Sequence, residues 1–119
     1  MITAIVEYTL PPSIGRQECL EHFTKIAPGF REVPGFLRKH FLFSDAGIGG
    51  GVYLWETRED AERFYAGPWL EGIRSRYGVD PKITYFETLV ICDVVDPEIR
   101  VTASAASPVS RNSGPSATS

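Results

Sequence analysis

The residues best suited to chemistry lie close together in one predicted strand, residues 36–43. His40 stands among Phe and Leu residues, and a histidine in an apolar cleft can act as a general base near neutral pH. Arg38 shares its face of the strand, and its guanidinium can hold an anionic or enolate oxygen. Each has a structural alternative, a hydrogen bond of His40 within a subunit interface or an interfacial salt bridge of Arg38. Lys39 lies on the opposite face, where we expect a solvated or snorkelling ammonium.

Aromatic residues of the next predicted strand and helix form a second candidate group. Tyr and Trp often line pockets with one wet end, because their polar atom needs a partner when buried. Strand aromatics facing helix aromatics would wall a small apolar cavity, and plain core packing is the alternative. Within this group a Tyr65 donor could stabilise an oxyanion, and the break at Gly67-Pro68 favours a pocket rim at Trp69. The predicted substrate-binding residues are Tyr53, Trp55, Phe64 and Trp69.

Metal and phosphate chemistry find little support in the sequence. His22 and His40 are the two histidines, and neither has a Cys, His or acid at a spacing typical of zinc. We therefore predict no metal, and we expect His22 to be exposed on the first helix. The glycine-rich residues 47–51 lack the Gly-Lys-Ser/Thr end of a phosphate loop and precede a strand, so they predict a hairpin loop. Cys19 and Cys92 are far apart in the chain, which favours two reduced thiols.

The elements that must position these residues follow from apolar spacing. Alternation over residues 2–10 predicts a first strand, and helical spacing up to Phe30 predicts an amphipathic helix. Two strands joined by the glycine-rich segment predict an antiparallel hairpin. Thr57-x-x-Asp60 is a capping box that starts a second helix, and residues 83–92 form the last strand. This order predicts an α+β ferredoxin-like β-α-β-β-α-β fold, whose four-stranded antiparallel sheet carries both helices on one face.

The second predicted strand is apolar on both faces, which a half-exposed strand does not need. We place Phe36 and Leu42 on one face, and Leu37, Phe41 and Phe43 on the other. An apolar sheet face left in water would contribute no hydrophobic stabilisation and would favour aggregation. A homodimer in which two sheets pack face to face would bury it.

Length and composition set further bounds. The 119 residues, 43% of them hydrophobic, with a formal net charge of -3, fit one globular domain and not a nucleic-acid-binding protein. No apolar run approaches the roughly 20 residues that span a bilayer, and the start has no secretion signal, so we expect a cytoplasmic protein. We predict a domain over residues 1–96. Residues 97–119 are rich in Ser, Ala and Pro and form a flexible tail or an arm over a partner subunit.

The segments PGFLRKHFLFS and GGGVYLWETREDAERFY, with this element order, resemble the dimeric α/β-barrel superfamily. More narrowly they resemble the small bacterial YdhR-type proteins, usually described as monooxygenases, over about residues 1–95. The resemblance implies a homodimer that acts on an aromatic or polycyclic small molecule as a cofactor-independent monooxygenase or cyclase. A base such as His40 or a tyrosine would form a carbanion that reduces oxygen or closes a ring, with no flavin or haem. The alternatives are a non-catalytic hydrophobic-ligand-binding or stress-response dimer, and a haem-binding protein with His40 as axial ligand.

Overall fold

The computed structural model describes residues 1–95 and 100–102. The chain divides into two compact units, Met1–Phe86 and Glu87–Ser119. The strands are β1 (Ile2–Thr9), β2 (Phe36–Ser44), β3 (Ile48–Trp55), β4 (Lys82–Glu87), β5 (Val90–Ile91) and β6 (Arg100–Val101). The helices are α1 (Arg16–Ile26), a 3-10 helix (Ala27–Glu32), α2 (Arg58–Tyr65) and α3 (Pro68–Tyr77).

The first unit is a four-stranded sheet in the order β2-β3-β1-β4, with β3 antiparallel to both of its neighbours. Ala4 of β1 lies opposite Tyr53 of β3, which fixes the faces of both strands. The largest fully buried side chains are Trp55, Tyr53, Val6 and Cys19, and they belong to one core between the sheet and the helices. The predicted α+β ferredoxin-like fold is confirmed.

A β-bulge near the start of β2 changes which residues share a face. Phe36 lies opposite Trp55 and Arg38 lies opposite Leu54, so Leu37 has no partner on β3. One extra residue in a strand reverses the facing of everything before it. Phe36 therefore packs against the core together with the later aromatic residues of β2, while Leu37 is exposed. The expectation that Phe36 shares a face with Leu42 was wrong for this reason.

Residues 48–51 of the glycine-rich segment belong to β3, which corrects the predicted hairpin loop at residues 47–51. The turn is shorter, and Gly47 N–H donates to the Ser44 carbonyl over 2.9 Å. β3 then begins at Ile48. Gly50 has a φ of 157°, and a Cβ on it would lie 1.9 Å from the Val6 carbonyl oxygen. No side chain fits at that position, so β1 and β3 pair closely there because residue 50 is glycine.

The second helical region consists of two helices separated by Gly67. The Thr57 hydroxyl accepts a hydrogen bond from the Asp60 N–H over 3.1 Å, which confirms the predicted cap of α2. Pro68 occupies the first turn of α3, where a missing N–H costs nothing, and Gly78 ends that helix in the left-handed conformation. The break between the two helices sets the direction of α3 independently of α2.

The face of the sheet away from the core is also apolar, as the sequence predicted. Leu42 is 43% exposed, Ile48 37% and Phe86 52%. These side chains, with the half-buried Val52 and Leu54, form what we call the open face.

The second unit contains a short antiparallel pair, with Val90 opposite Val101. The Thr102 N–H donates to the Leu89 carbonyl over 2.9 Å, and the Thr102 hydroxyl donates to the Thr88 carbonyl. The predicted strand over residues 83–92 is therefore two strands, because the backbone at 88–91 pairs with 100–102. Apart from residues 100–102, the predicted tail at 97–119 lies outside the described residues, and the predicted boundary at residue 96 stays a prediction. Within the described residues, no helix is long and apolar enough to cross a bilayer.

Candidate active site

A cavity of about 350 Å³ lies between the core face of the sheet and helices α1 and α3. Its size falls in the range of small-molecule sites, and its walls combine apolar and ionisable side chains. The polar and aromatic lining residues are Tyr8 of β1, His22 of α1, Lys39 of β2, Tyr53 of β3, and Trp69, Arg76 and Tyr77 of α3. We call this space the central cavity.

A larger groove of about 540 Å³ runs along α1 and the 3-10 helix. It is lined by residues such as Leu20, Ala27 and Pro28, and Arg31 is its ionisable group. A groove with one charged side chain offers little acid–base chemistry. The central cavity is therefore the better candidate for an active site, although it is smaller.

The most unusual group in the central cavity is the Lys39 ammonium. Its Nζ lies 3.8 Å from the ring centroid of Phe41, 4.3 Å from that of Phe30 and 4.4 Å from that of Tyr53. Burial lowers the pKa of Lys39 to about 7, since an ammonium loses hydration there. The three ring faces attract the charged form and partly offset that loss. The expectation of a solvated or snorkelling ammonium was wrong, because the ammonium lies against three rings instead of reaching water. The alternation in β2, which puts residue 39 on the same face as Phe41, was the signal that could have located it.

Gly51 of β3 provides the space for the Lys39 stem. A Cβ at Gly51 would lie 2.7 Å from Lys39 Cε and 3.0 Å from the His40 carbonyl oxygen. The first distance is shorter than packing allows and the second is unusually tight, so a larger residue would displace the flexible lysine side chain. The glycine-rich strand and the buried amine are thus parts of one arrangement.

His22 lines the cavity from α1 and is half-buried, which corrects the expectation that it is exposed. Burial lowers the pKa of its imidazole, and the positive charges of Arg76, Lys25 and Lys39 lower it further. His22 is therefore neutral near pH 7, the state in which an imidazole accepts a proton. The sequence signal was its position beside Phe23 on the apolar stripe of α1.

Three tyrosines line the cavity, and two of them, Tyr8 and Tyr53, are neutral phenols. The rings of Tyr8 and Tyr77 stack with centroids 4.3 Å apart. Burial, with a hydrogen bond to Tyr77, raises the pKa of Tyr8, and burial likewise raises the pKa of Tyr53. The Arg76 Nε donates to the Tyr77 hydroxyl over 3.2 Å. Tyr8 and Tyr53 therefore stay protonated at neutral pH and can donate to an oxyanion.

The predicted aromatic group is divided by the structure. Tyr53 and Trp69 line the central cavity. Trp55 is fully buried, and its indole N–H donates to the Tyr65 hydroxyl over 3.1 Å. Phe64 packs against Trp55 with ring centroids 5.5 Å apart. Trp55, Phe64 and Tyr65 are thus core residues beside the cavity and do not line it.

Arg38 and His40 are exposed and lie on the open face, opposite Leu54 and Val52 of β3. The sheet separates them from the central cavity, so neither can touch a ligand bound there within the same protomer. Their predicted catalytic roles stay predictions. The described residues also contain no group of three His, Cys, Asp or Glu placed to hold a metal ion.

The sequence matches no protein-family model and no curated protein. A monooxygenase of Streptomyces coelicolor, solved with the ligand nanaomycin D, is 23% identical, with a TM-score of 0.58 over 73% of this chain and 86% of that one. SnoaB, a cofactor-independent oxygenase of Streptomyces nogalater, is 19% identical, with a TM-score of 0.53 over 73% and 91% of the two chains. The haem degrader MhuD of Mycobacterium tuberculosis, solved with two haems in its active site, is 20% identical, with a TM-score of 0.61 over 78% and 100%.

These similarities show a shared fold. They confirm the predicted ferredoxin-like α+β architecture, which this chain shares with solved proteins that include an antibiotic biosynthesis monooxygenase. The narrower resemblance to YdhR-type proteins stays a prediction.

Proposed function

We infer that this protein is a cofactor-independent monooxygenase that oxidises an aromatic or polycyclic small molecule in the central cavity. The observation that carries the proposal is the neutral His22 facing an aromatic-walled space that also holds phenol donors. A flat, delocalised substrate fits such walls, and a base near neutral pH can take its acidic proton. The shared fold with an oxygenase described as cofactor-independent adds support. We also expect the protein to act in the cytoplasm.

The chemistry can be completed with molecular oxygen as the only oxidant. His22 would take a proton from a methylene group that lies between aromatic rings or beside a carbonyl. The resulting carbanion would transfer its electrons to O2 and form a carbon–oxygen bond. The peroxide then regains the proton, and His22 takes the second proton of the same carbon. The O–O bond breaks, the departing hydroxide takes that proton and leaves as water, and one oxygen atom stays on the substrate as a carbonyl. Tyrosine hydroxyls such as that of Tyr53 would stabilise the oxyanion before oxidation.

We further propose that the open face forms a homodimer interface and that Arg38 and His40 take part in it. Leu42, Ile48 and Phe86 are exposed there, and burying them against a second copy would remove apolar area from water. This is the structural alternative that the sequence left open for both polar residues.

The test compares the two histidines. Oxygen consumption and anthraquinone formation are followed with anthrone as substrate, after subtraction of its spontaneous oxidation. His22→Asn should lower kcat by about a hundredfold, the usual contribution of a general base. His40→Asn tests whether the histidine on the open face contributes to turnover. If His40→Asn abolishes turnover and His22→Asn does not, the assignment of the central cavity is overturned.

The alternative of a non-catalytic binding dimer makes a different prediction for the same assay. Anthrone-like compounds would then bind, and oxygen consumption would not exceed the spontaneous rate. The haem alternative with His40 as axial ligand has less support than the monooxygenase proposal, because His40 does not line the central cavity. A Soret band on haem titration that disappears in His40→Ala would restore it.

A further inference from the structure

We propose that Lys39 is the anion-binding residue of the central cavity, and that the cavity takes flat aromatic ligands carrying one acidic group, bound as the anion. The proposal names the ligand class of the site described above and so rests on the proposed function. It concerns binding, however, and needs no oxidation step.

The first argument is the charge of the cavity wall. The titratable groups that line it with Lys39 are Tyr8 on β1, His22 on α1, Tyr53 on β3, and Arg76 and Tyr77 on α3. None is a carboxylate, and within residues 1–95 and 100–102 Lys39 forms no ion pair. A half-buried, poorly hydrated cation without an anionic neighbour is destabilised, and a ligand that brings one negative charge offsets that cost.

The second argument is geometric. The rings of Phe30, Phe41 and Tyr53 surround the ammonium at 3.8–4.4 Å, and the gap at Gly51 fixes the path of its stem. A lysine held in this way has already lost most of its side-chain freedom. Binding an anion to its charge therefore costs little further side-chain entropy. The aromatic walls suit a flat ring, and the ammonium suits the acidic group that the ring carries.

The third argument is a linkage that can be measured. In the free protein burial brings the pKa of Lys39 to about 7, so at pH 8 most of the amine is neutral. A bound anion favours the ammonium and raises this pKa, so binding at pH 8 must take up a proton. Affinity for a permanently ionised ligand should therefore fall by up to about tenfold per pH unit above pH 7. His22 is the other neutral base, and a Lys39 variant separates the two contributions.

The experiment uses 2-naphthoate and 2-naphthamide, which share a shape and differ in charge. Binding is measured by isothermal titration calorimetry at pH 7 and pH 8, in two buffers of different ionisation enthalpy. We expect the wild type to prefer naphthoate at least tenfold and to take up about one proton at pH 8. Lys39→Met should lose both the preference and the uptake. Lys82→Met, an exposed lysine of β4 outside the cavity, should retain both.

Several outcomes would overturn the proposal. Equal affinity for the two ligands, or no binding of either, would contradict the assignment of Lys39 as the anion-binding residue. Preference that survives in Lys39→Met assigns the anion to Arg76 or His22 instead. If Lys39→Met does not fold by circular dichroism, Lys39→Arg decides, because it should keep the preference and lose the proton uptake. Failure here leaves the oxidation of anthrone untouched, and failure of that assay leaves the binding result untouched.

Discussion

Tyr65→Phe should destabilise the protein, because the Tyr65 hydroxyl accepts the indole N–H of Trp55 inside the core. The donor and acceptor are 3.1 Å apart, and the two residues are 0% and 4% exposed. No water reaches this indole to replace the lost acceptor. A buried donor left without a partner costs about 1–3 kcal/mol. The change removes one oxygen atom and keeps the ring packing, so the cost of a cavity is small.

The assay is urea unfolding of the wild type, Tyr65→Phe, Trp55→Phe and the double variant. For a domain of this size, each kcal/mol also lowers Tm by about 4–8 °C. Trp55→Phe should cost more than Tyr65→Phe, because it removes ring volume as well as the donor. The double variant should cost less than the sum of the two, with a coupling free energy of about 0.5–1.5 kcal/mol.

The result also decides the role of Tyr65, which the sequence placed among the catalytic residues. If Tyr65 is a core residue, Tyr65→Phe lowers stability and leaves kcat of the folded protein near the wild-type value. An unchanged free energy of unfolding together with a large fall in kcat would refute this reasoning and restore the catalytic role.

Three further predictions follow from the same structure. Gly51→Ala should displace Lys39 and abolish the preference for naphthoate, whereas Gly29→Ala, where a Cβ would meet no atom within 4 Å and which lies outside the cavity lining, should keep the preference; calorimetry with both ligands checks this. Because the folded-state pKa of Lys39 is about 7 and its ordinary value is 10.5, the unfolded chain binds more protons above pH 7. The free energy of unfolding of the wild type should therefore rise by at most about 1.4 kcal/mol per pH unit from pH 7 to 8.5. Urea unfolding at several pH values should show a smaller rise for Lys39→Met, and an equal rise in the two proteins would contradict the assignment. Leu42→Glu should convert the expected homodimer to a monomer by light scattering, while the exposed Leu20→Glu on α1 should not, and a dimer that survives Leu42→Glu argues against the open-face interface.

The polypeptide's own pattern was enough to predict the element order and the ferredoxin-like fold. Apolar alternation located β1, the Thr57 capping box located the start of α2, and Gly67-Pro68 marked the break before α3. These signals are local, since each depends on neighbours within one or two turns of chain. The presence of apolar residues on both sheet faces was also predictable from the sequence, because it depends only on the residue types at alternating positions of each strand.

The identity of the site residues could not be obtained in the same way. Alternation shows that Arg38 and His40 share one face of β2 and Lys39 the other, but not which face the helices cover. Because both faces of β2 carry apolar residues, hydrophobicity could not show which face the helices cover. The bulge at Leu37 also turned Phe36 to the opposite face. His22 entered the cavity only because α1 crosses the sheet near Tyr53 and Lys39.

Sequence by itself therefore determined the fold, the start of α2 and the presence of apolar residues on both sheet surfaces, because short-range patterns specify them. It did not determine the end of α1, which lies at Ile26 and not near Phe30. The tertiary structure alone decided that Lys39 and His22, and not Arg38 and His40, face the aromatic cavity. That choice depends on which sheet face receives the helices and on which side chains meet across elements far apart in the chain. The spacing of residues along the chain specifies neither the covered face nor these long-range contacts.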